Sequence, residues 1–341
     1  MTSLSQAHEV QENEFAKHGL TKEMLRQMLQ KMILIRKFEE KVEELFLVKG
    51  LLIGPSHLYL GQEAIAVGAI MALEPTDLTV TTYRGHGHGL AKDVPATLCM
   101  AELFGKSTGN CKGLGGSMHV AIYPQTGSLY ATAIVGSGIP ITAGVGLGLK
   151  QKKSKNIVAT FFGDGAVNTG AFHEGVNLIS LWKLPVLLFC ENNQYGMSTH
   201  VKRAVSSPSI AERARAYGLE TVVVNGNDVV SVYVATKAAA ERARRDSEPT
   251  FFECLTYKMK GHGVYDKGDY RPKDEVVKWM ERDPISTFKK RLIEHKFLTQ
   301  AEVDEVEAKV QKEIEESVAF AMKGSPLPFD DIKRYVYAEG A

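Results

Sequence analysis

Apolar residues are spaced in two ways along this chain. In residues 21–49 they return with the period of an α-helix, and a stripe along one helix face is formed by Ile35, Phe38, Val42, Leu45 and Phe46. Four shorter runs are rich in β-branched and aromatic residues and have the length of strands, at residues 157–162, 186–190, 221–224 and 251–256. The pattern therefore predicts one long helix followed by several buried strands.

Helical patterns separate these predicted strands. Residues 170–182 lie between the first two strands, and residues 229–245 lie between the last two. A strand, a crossover helix and a second strand form a βαβ unit, whose two strands run parallel. The chain is therefore predicted to have an α/β fold, with a central and mostly parallel sheet flanked by helices.

The two ends of the chain differ from this central region. Thr299 and Glu302 have the spacing of a capping box, and a helical stripe of valine and isoleucine follows them. We predict an N-terminal arm at residues 1–20, an α/β domain with a helical N-terminal segment at residues 21–275, and a C-terminal helical extension at residues 276–341.

Composition narrows the class of protein. The 341 residues carry a formal net charge of +1, which gives no long-range attraction to nucleic acid or to acidic membranes. No apolar run approaches the ~20 residues of a membrane span. The four cysteines lie far apart and predict free thiols in a reducing compartment. The acidic N-terminal residues lack the apolar core of a signal peptide, so we expect a cytoplasmic, prokaryotic protein.

Asp164 and Asn193 carry the clearest chemistry in the sequence. Each follows a predicted strand, and a single crossover helix links the two strands, so both side chains should meet at the carboxyl edge of the sheet. Carboxylate, amide and carbonyl oxygens suit Mg²⁺, which usually shares its ligands with phosphate oxygens. Gly163 and Gly165 allow close approach of an anion, and a helix after Gly165 would direct its N–H groups toward it. These residues predict a magnesium–diphosphate site.

The motif Gly163-Asp164-Gly165, followed after 166–191 by Asn192-Asn193, also resembles the thiamine-diphosphate signature. The resemblance covers residues 21–335, over which the chain is similar to the α subunits of pyruvate and acetoin dehydrogenase E1 components. The matching segments, in one-letter code, are HLYLGQE at 57–63, YRGHG at 83–87, GGSMH at 115–119, IVG at 134–136, GDGA at 163–166, ENNQYGM at 191–197 and KGH at 260–262.

This resemblance implies a thiamine-diphosphate-binding fold of the diphosphate-binding type and a set of site residues. Mg²⁺ would be bound by Asp164, Asn193 and the backbone oxygen of Tyr195. The cofactor would be contacted by Tyr83, Arg84, Ala133, Val135, Gly165, Ala166 and His262. His57 and His262 would be the catalytic residues that orient the substrate or move protons, a task that suits imidazole because its pKa lies near neutrality.

The resemblance also implies partners and a reaction. Thiamine catalysis needs a glutamate from a pyrimidine-binding domain, and the chain has no second block of domain size for it. We therefore expect an E1 β subunit in an α₂β₂ heterotetramer, and a lipoylated E2 acyltransferase that accepts the acetyl group. The implied enzyme is an oxidoreductase that decarboxylates pyruvate or cleaves acetoin. Glu63 is conceivable as a substitute for the missing glutamate, but it matches a scaffold position of the family.

Several alternatives stay open at this point. The protein could instead be the E1 α subunit of a branched-chain 2-oxoacid dehydrogenase, a non-catalytic assembly homologue, or part of another thiamine enzyme such as a transketolase or a decarboxylase. His86 and His88 form an H-x-H motif, but no ligand at a recognised spacing supports zinc. Lys258 departs from the family pattern, since many relatives have arginine at its position.

Overall fold

A six-stranded sheet forms the centre of the molecule in the computed structural model, which describes residues 10–52 and 54–336. In spatial order its strands are β2 (Ser128–Thr132), β1 (Leu78–Thr82), β3 (Val158–Gly163), β4 (Val186–Asn192), β8 (Thr250–Leu255) and β7 (Glu220–Asn225). Every neighbouring pair is parallel. Two short antiparallel strands, β5 (Tyr195–Gly196) and β6 (Thr199–His200), form a separate ribbon. The predicted α/β fold with a parallel sheet is confirmed.

Helices cover both faces of the sheet. Along the chain they are α1 (Lys22–Leu47), α2 (Glu63–Met71), α3 (His86–Ala91), α4 (Ala96–Leu103), α5 (Gly138–Gln151), α6 (Gly170–Leu181), α7 (Val201–Ala204), α8 (Ile210–Arg215), α9 (Val229–Asp246), α10 (Lys273–Met280), α11 (Pro284–Glu294), α12 (Gln300–Lys323) and α13 (Phe329–Ile332). Short 3₁₀ turns lie at Glu12–Glu14, Gly116–Met118, Asp164–Asn168 and Lys333–Tyr335. Within the described ranges, none of these helices is both long and apolar enough to cross a bilayer.

Alternate residues of the central strands enter two separate cores. Phe161 and Phe189 face the core that α1, α2, α9 and α12 complete, and their rings stack with centroids 4.9 Å apart. Val158, Phe162 and their neighbours face the other core, beneath α5 and α6. Because both faces are covered, these strands are mostly apolar in the sequence, without a regular alternation of apolar and polar residues.

The elements predicted from periodicity lie close to their expected positions. Helix α1, strands β3, β4, β7 and β8, and helices α6 and α9 begin and end within a few residues of the predicted ranges. The Thr299 hydroxyl accepts from the Glu302 N–H, and the Glu302 carboxylate accepts from the Thr299 N–H, so the capping box at the start of α12 is present.

The helix expected after Gly165 is α6, which begins at Gly170 as predicted, and Asp164–Asn168 forms a 3₁₀ turn before it. The Thr169 side chain caps the N-terminus of α6 by accepting from the Phe172 N–H. The backbone N–H groups nearest to Asp164 therefore belong to a tight turn rather than to the first turn of a long helix.

The first described residues and the C-terminal helix α12 pack onto the rest of the fold. Val10 and Phe15 are buried, and the Phe15 ring stacks on Phe297 at 5.2 Å. Helix α12 packs against α1 and α4. Residues 1–9 of the predicted arm lie outside the described residues, and the division into arm, α/β domain and helical extension stays a prediction.

Candidate active site

A cavity of about 390 Å³ opens at the carboxyl edge of the sheet. Its walls come from the segments that follow β1, β2, β3, β4 and β8, because the ends of parallel strands meet at that edge. The site residues predicted from the sequence all line it, namely His57, Tyr83, Arg84, Ala133, Val135, Asp164, Gly165, Ala166, Asn193, Tyr195 and His262. The fold thus gathers residues that are up to two hundred positions apart along the chain into one pocket.

Three oxygen-bearing groups converge on one side of this cavity. One terminal atom of the Asn193 amide lies 3.2 Å from Oδ1 of Asp164 and 3.1 Å from the backbone oxygen of Tyr195. The other terminal atom, Nδ2, donates to Oε1 of Gln62 at 3.0 Å. With this orientation the oxygen of Asn193 faces two further oxygens, whereas the opposite orientation of the amide lets its nitrogen donate to both. Such a group of hard oxygen donors matches the preference of Mg²⁺.

Adjacent Asn192 does not take part in this group. Its side chain belongs to β4 and points the other way, donating to Oε1 of Glu253 at 2.8 Å. Glu253 also accepts from the Ala211 N–H. Asn192 therefore fixes the end of the strand, whereas Asn193 faces the cavity.

Lys258 brings a buried positive charge to the same place. Its side chain is buried at the wall of the cavity, and Nζ donates to the backbone oxygen of Tyr195 at 2.8 Å. Burial lowers the pKa of Lys258, and burial raises the pKa of Asp164, an effect that the nearby ammonium partly offsets. A bound anion would balance the charge of Lys258, and a bound cation would balance the charge of Asp164. Sequence reasoning noted Lys258 only as a departure from the family pattern and gave it no place in the site.

His57 and His262 face each other at the other side of the cavity. Their ring centroids are 5.1 Å apart, and the Tyr83 ring lies 4.6 Å from the ring of His57. Nδ1 of His57 is buried and has no hydrogen-bond partner among the described residues. The described part of the protein therefore leaves the hydrogen-bonding capacity of this nitrogen unused.

Arg84 ties together the two segments that carry these histidines. One terminal nitrogen donates to the backbone oxygen of Leu58, and the other donates to the backbone oxygen of His262 at 2.9 Å. The backbone N–H of Val264 also donates to the oxygen of Ser56 at 3.0 Å. The terminal nitrogens of Arg84 are thus engaged with the protein, which leaves its positive charge, rather than a free fork, to face the cavity.

Two motif interpretations are resolved by the geometry. His86 pairs with Glu39 and His88 pairs with Glu191, at 3.0 and 2.9 Å, so the two histidines serve different carboxylates. No group of three or more metal-binding side chains of the His, Cys, Asp and Glu types is present in the described part of the chain. Glu63 forms an ion pair with Arg36 at 2.7 Å and does not line the cavity.

Comparison with known proteins identifies the relatives of this chain. The family model described as "Dehydrogenase E1 component" matches residues 30–328. The chain belongs to the dehydrogenase E1 family. It is 46% identical over 314 residues to the α subunit of acetoin:2,6-dichlorophenolindophenol oxidoreductase of Bacillus subtilis, covering 92% of each chain.

Other E1 relatives are subunits of pyruvate dehydrogenase. The chain is 38% identical over 328 residues to the pyruvate dehydrogenase E1 α subunit of Porphyra purpurea, which covers 94% of this chain and 95% of the relative. It is 37% identical over 313 residues to the corresponding subunit of Rickettsia felis, with 92% and 95% covered. Membership of the E1 family implies thiamine diphosphate as the cofactor, and a β subunit and an E2 component as partners in general.

The two cavity histidines of this E1 chain should make its stability depend on pH. Burial and the charge of Arg84 lower the pKa of His57 to about 3, and burial and the same charge lower the pKa of His262 to about 4. In the unfolded chain both histidines have a pKa of about 6.5. As the pH falls from 6.5 toward 4, the unfolded state takes up protons that the folded state does not, so stability must fall.

A double variant tests this dependence. Between pH 6.5 and 4, the melting temperature of a His57→Gln/His262→Gln complex should fall by less than that of the wild type, because glutamine does not titrate. The comparison uses thermal unfolding of the two complexes at several pH values. The same loss in both complexes would show that other groups govern the acid sensitivity.

Proposed function

We propose that this chain is the α subunit of an E1 enzyme that uses thiamine diphosphate and Mg²⁺ to cleave acetoin or to decarboxylate pyruvate oxidatively, with transfer of the acetyl group to the lipoyl group of E2. The convergence of Asp164, the Asn193 amide and the backbone oxygen of Tyr195 carries the proposal, because with the amide oxygen turned toward the other two they form a set of hard oxygen donors that suits Mg²⁺. Acetoin is the preferred substrate in this proposal, since the 46% identical relative is named for acetoin. Pyruvate is the second candidate, supported by the names of the other relatives.

Each residue group has a distinct task in the proposed enzyme. Asp164, Asn193 and the backbone oxygen of Tyr195 would hold Mg²⁺, and the positive charges of Lys258 and Arg84 would attract the diphosphate. When bound, thiamine diphosphate supplies the nucleophilic carbon and the electron sink for breaking the bond next to the substrate carbonyl. Ala133 and Val135, with Gly165 and Ala166, would contact the cofactor through apolar and backbone groups.

His57 and His262 would act as neutral imidazoles. Because burial lowers the pKa of both rings well below neutrality, neither carries a charge near pH 7. A neutral ring can donate one hydrogen bond and accept another, which allows it to orient a carbonyl or hydroxyl oxygen of the substrate. Nδ1 of His57 has no hydrogen-bond partner among the described residues, so the protein does not use both nitrogens of that ring.

The β subunit would close the open side of the cavity. Ile134, Val135 and Met197 line the cavity yet are 70%, 49% and 63% exposed, respectively. An apolar rim of this kind around a binding site is typical of a surface that a partner covers. In the proposed α₂β₂ heterotetramer the β subunit would cover this rim and contribute the glutamate that the chain lacks. A prokaryotic, cytoplasmic location remains our expectation.

Substrate turnover tests the proposal. The co-purified α/β complex, supplied with Mg²⁺ and thiamine diphosphate, is expected to reduce dichlorophenolindophenol with acetoin, and more slowly with pyruvate. The measurement compares kcat/KM for acetoin, pyruvate and branched-chain 2-oxoacids. A preference for branched-chain 2-oxoacids would indicate a branched-chain 2-oxoacid dehydrogenase instead. No turnover despite bound cofactor would favour a non-catalytic homologue.

The requirement for an electron acceptor distinguishes the proposed enzyme from transketolases and decarboxylases. Reduced lipoyl groups on a lipoylated E2 domain should form only when substrate and the α/β complex are both present. A transketolase would instead need an aldose acceptor, and a decarboxylase would release an aldehyde with no acceptor at all. Turnover that is independent of both the dye and the lipoyl domain would contradict the proposed reaction.

A further inference from the structure

Asn193 is hydrogen-bonded to a second buried amide, that of Gln62. Gln62 precedes α2 at its N-terminus, and its side chain is completely buried. Its Oε1 accepts from Nδ2 of Asn193 at 3.0 Å, but its own Nε2 is buried and finds no partner in the part of the chain that the structure describes. Two buried amides are thus joined, and one N–H₂ group remains unused.

The orientation of Asn193 decides whether the site suits a cation. With Nδ2 toward Gln62, its oxygen lies 3.2 Å from Oδ1 of Asp164 and 3.1 Å from the oxygen of Tyr195, and the three acceptors repel one another unless a cation lies among them. The Tyr195 N–H, at 3.4 Å, donates only weakly to the Asn193 oxygen in this orientation. This arrangement is therefore suited to a loaded metal site.

Turning both amides over gives a second arrangement of the same shape. The nitrogen of Asn193 would then donate to Asp164 and to the oxygen of Tyr195, and its oxygen would face Gln62. Gln62 must turn as well, because only its Nε2 can donate to that oxygen. In this second arrangement the unused N–H₂ group of Gln62 gains an acceptor, and the acceptor group around Asp164 needs no cation.

We propose that Gln62 and Asn193 form a paired amide switch, in which both side chains turn over together when the site gains or loses its divalent cation. Gln62 is then a positioning residue: it holds the Asn193 oxygen toward the cation by accepting from Nδ2. This inference rests on the metal site under the proposed function and adds to it a residue outside the cavity wall. Partners that orient a metal ligand typically change metal affinity about 10–100-fold when removed.

Two substitutions at Gln62 separate positioning from simple packing. Gln62→Met keeps most of the volume but cannot accept from Nδ2 of Asn193, so we expect it to weaken divalent-cation binding about tenfold or more. Gln62→Glu keeps the shape, and its ionised carboxylate can only accept, which favours the oxygen of Asn193 toward the cation. We expect Gln62→Glu to bind the cation at least as tightly as the wild type.

The measurement is Mn²⁺ binding to the α/β complex with thiamine diphosphate, followed by the electron paramagnetic resonance signal of free Mn²⁺ and by competition with Mg²⁺. Melting curves of the metal-free complexes check that all variants are folded. Weakening in Gln62→Met with recovery in Gln62→Glu supports the paired switch when the metal-free Gln62→Met complex melts as the wild type does, because that melting curve excludes a packing defect. Equal weakening in both variants, or no change in Gln62→Met, overturns it.

The wild-type complex distinguishes this inference from the proposed function. If the wild-type complex binds the cation, if Asp164→Ala abolishes that binding and if Gln62→Met leaves it unchanged, the metal site is supported and only the amide pair is rejected. No cation binding by the wild-type complex rejects both.

Discussion

Replacing Asp164 by alanine is expected to abolish the thiamine-diphosphate-dependent turnover of the α/β complex. Asp164 supplies the carboxylate of the three-oxygen group, and the remaining two oxygens are neutral. Loss of one well-placed electrostatic contact at a reacting centre already costs about a hundredfold to a thousandfold in kcat. Loss of the charged metal ligand should cost more, because metal and diphosphate would be lost together. Steady-state dye reduction and cofactor binding measure the two effects separately.

Controls separate chemistry from folding in this experiment. Asp164→Asn retains the shape of the side chain and should fold as the wild type does, yet it should also lose activity because the negative charge is gone. Asp274→Ala removes a carboxylate whose side chain is 73% exposed on α10, and it should leave turnover unchanged. Substantial turnover in Asp164→Ala would refute the assignment of this residue to the metal site.

Replacing Arg36 by methionine should produce the largest loss of stability. The Arg36 guanidinium donates to Glu63 at 2.7 Å and to Asp283 at 2.7 Å, and thereby joins α1 to α2 and to the N-terminus of α11. The Glu63 side chain is 0% exposed. Removing one partner of such a buried ion pair costs about 3–5 kcal/mol, because the other charge stays buried without compensation.

A matched substitution on the same helix provides the control. Arg26, on α1, forms an ion pair with Glu305, whose side chain is 68% exposed. Exposed pairs contribute only about 0–1 kcal/mol, so Arg26→Met should change the melting temperature and the guanidinium chloride midpoint only slightly. Equal shifts in the two variants would mean that the Arg36 network contributes little to the free energy of unfolding.

The sequence predicted the central strands well because these strands are buried on both faces. Strands β3, β4 and β8 are buried and mostly apolar, with Thr160 inside β3 and Glu253 inside β8, and the residues directly after β3 and β4 carry the polar groups of the site. The position of the Gly163-Asp164-Gly165 turn at the edge of the sheet could therefore be predicted from the sequence alone. The family resemblance added the residues that no periodicity reveals, such as His57 and His262, although their roles stay predictions.

Residues 50–150 resisted prediction for a physical reason. Helix α2 is buried almost all round, so it has no polar face and no apolar stripe. Strand β1 contains three threonines and lacks the apolar run of its neighbours. The task of Gln62 was equally invisible, because a buried amide without charge has no sequence signature. Only the contact between its side chain and Asn193 makes that residue stand out.

Strand order also bears on how enzymes of this kind can diversify. The residues of the proposed metal site follow β3 and β4, which are paired on both sides, whereas the rim residues Ile134 and Val135 follow β2, an edge strand. A backbone shift at an edge breaks pairing with one neighbour only. Selection can therefore reshape this part of the rim while the proposed metal site stays in place. Libraries randomised at Ile134, the exposed rim residue of this segment that is not a proposed cofactor contact, should yield many folded, metal-binding variants, and changes in substrate preference should arise there first.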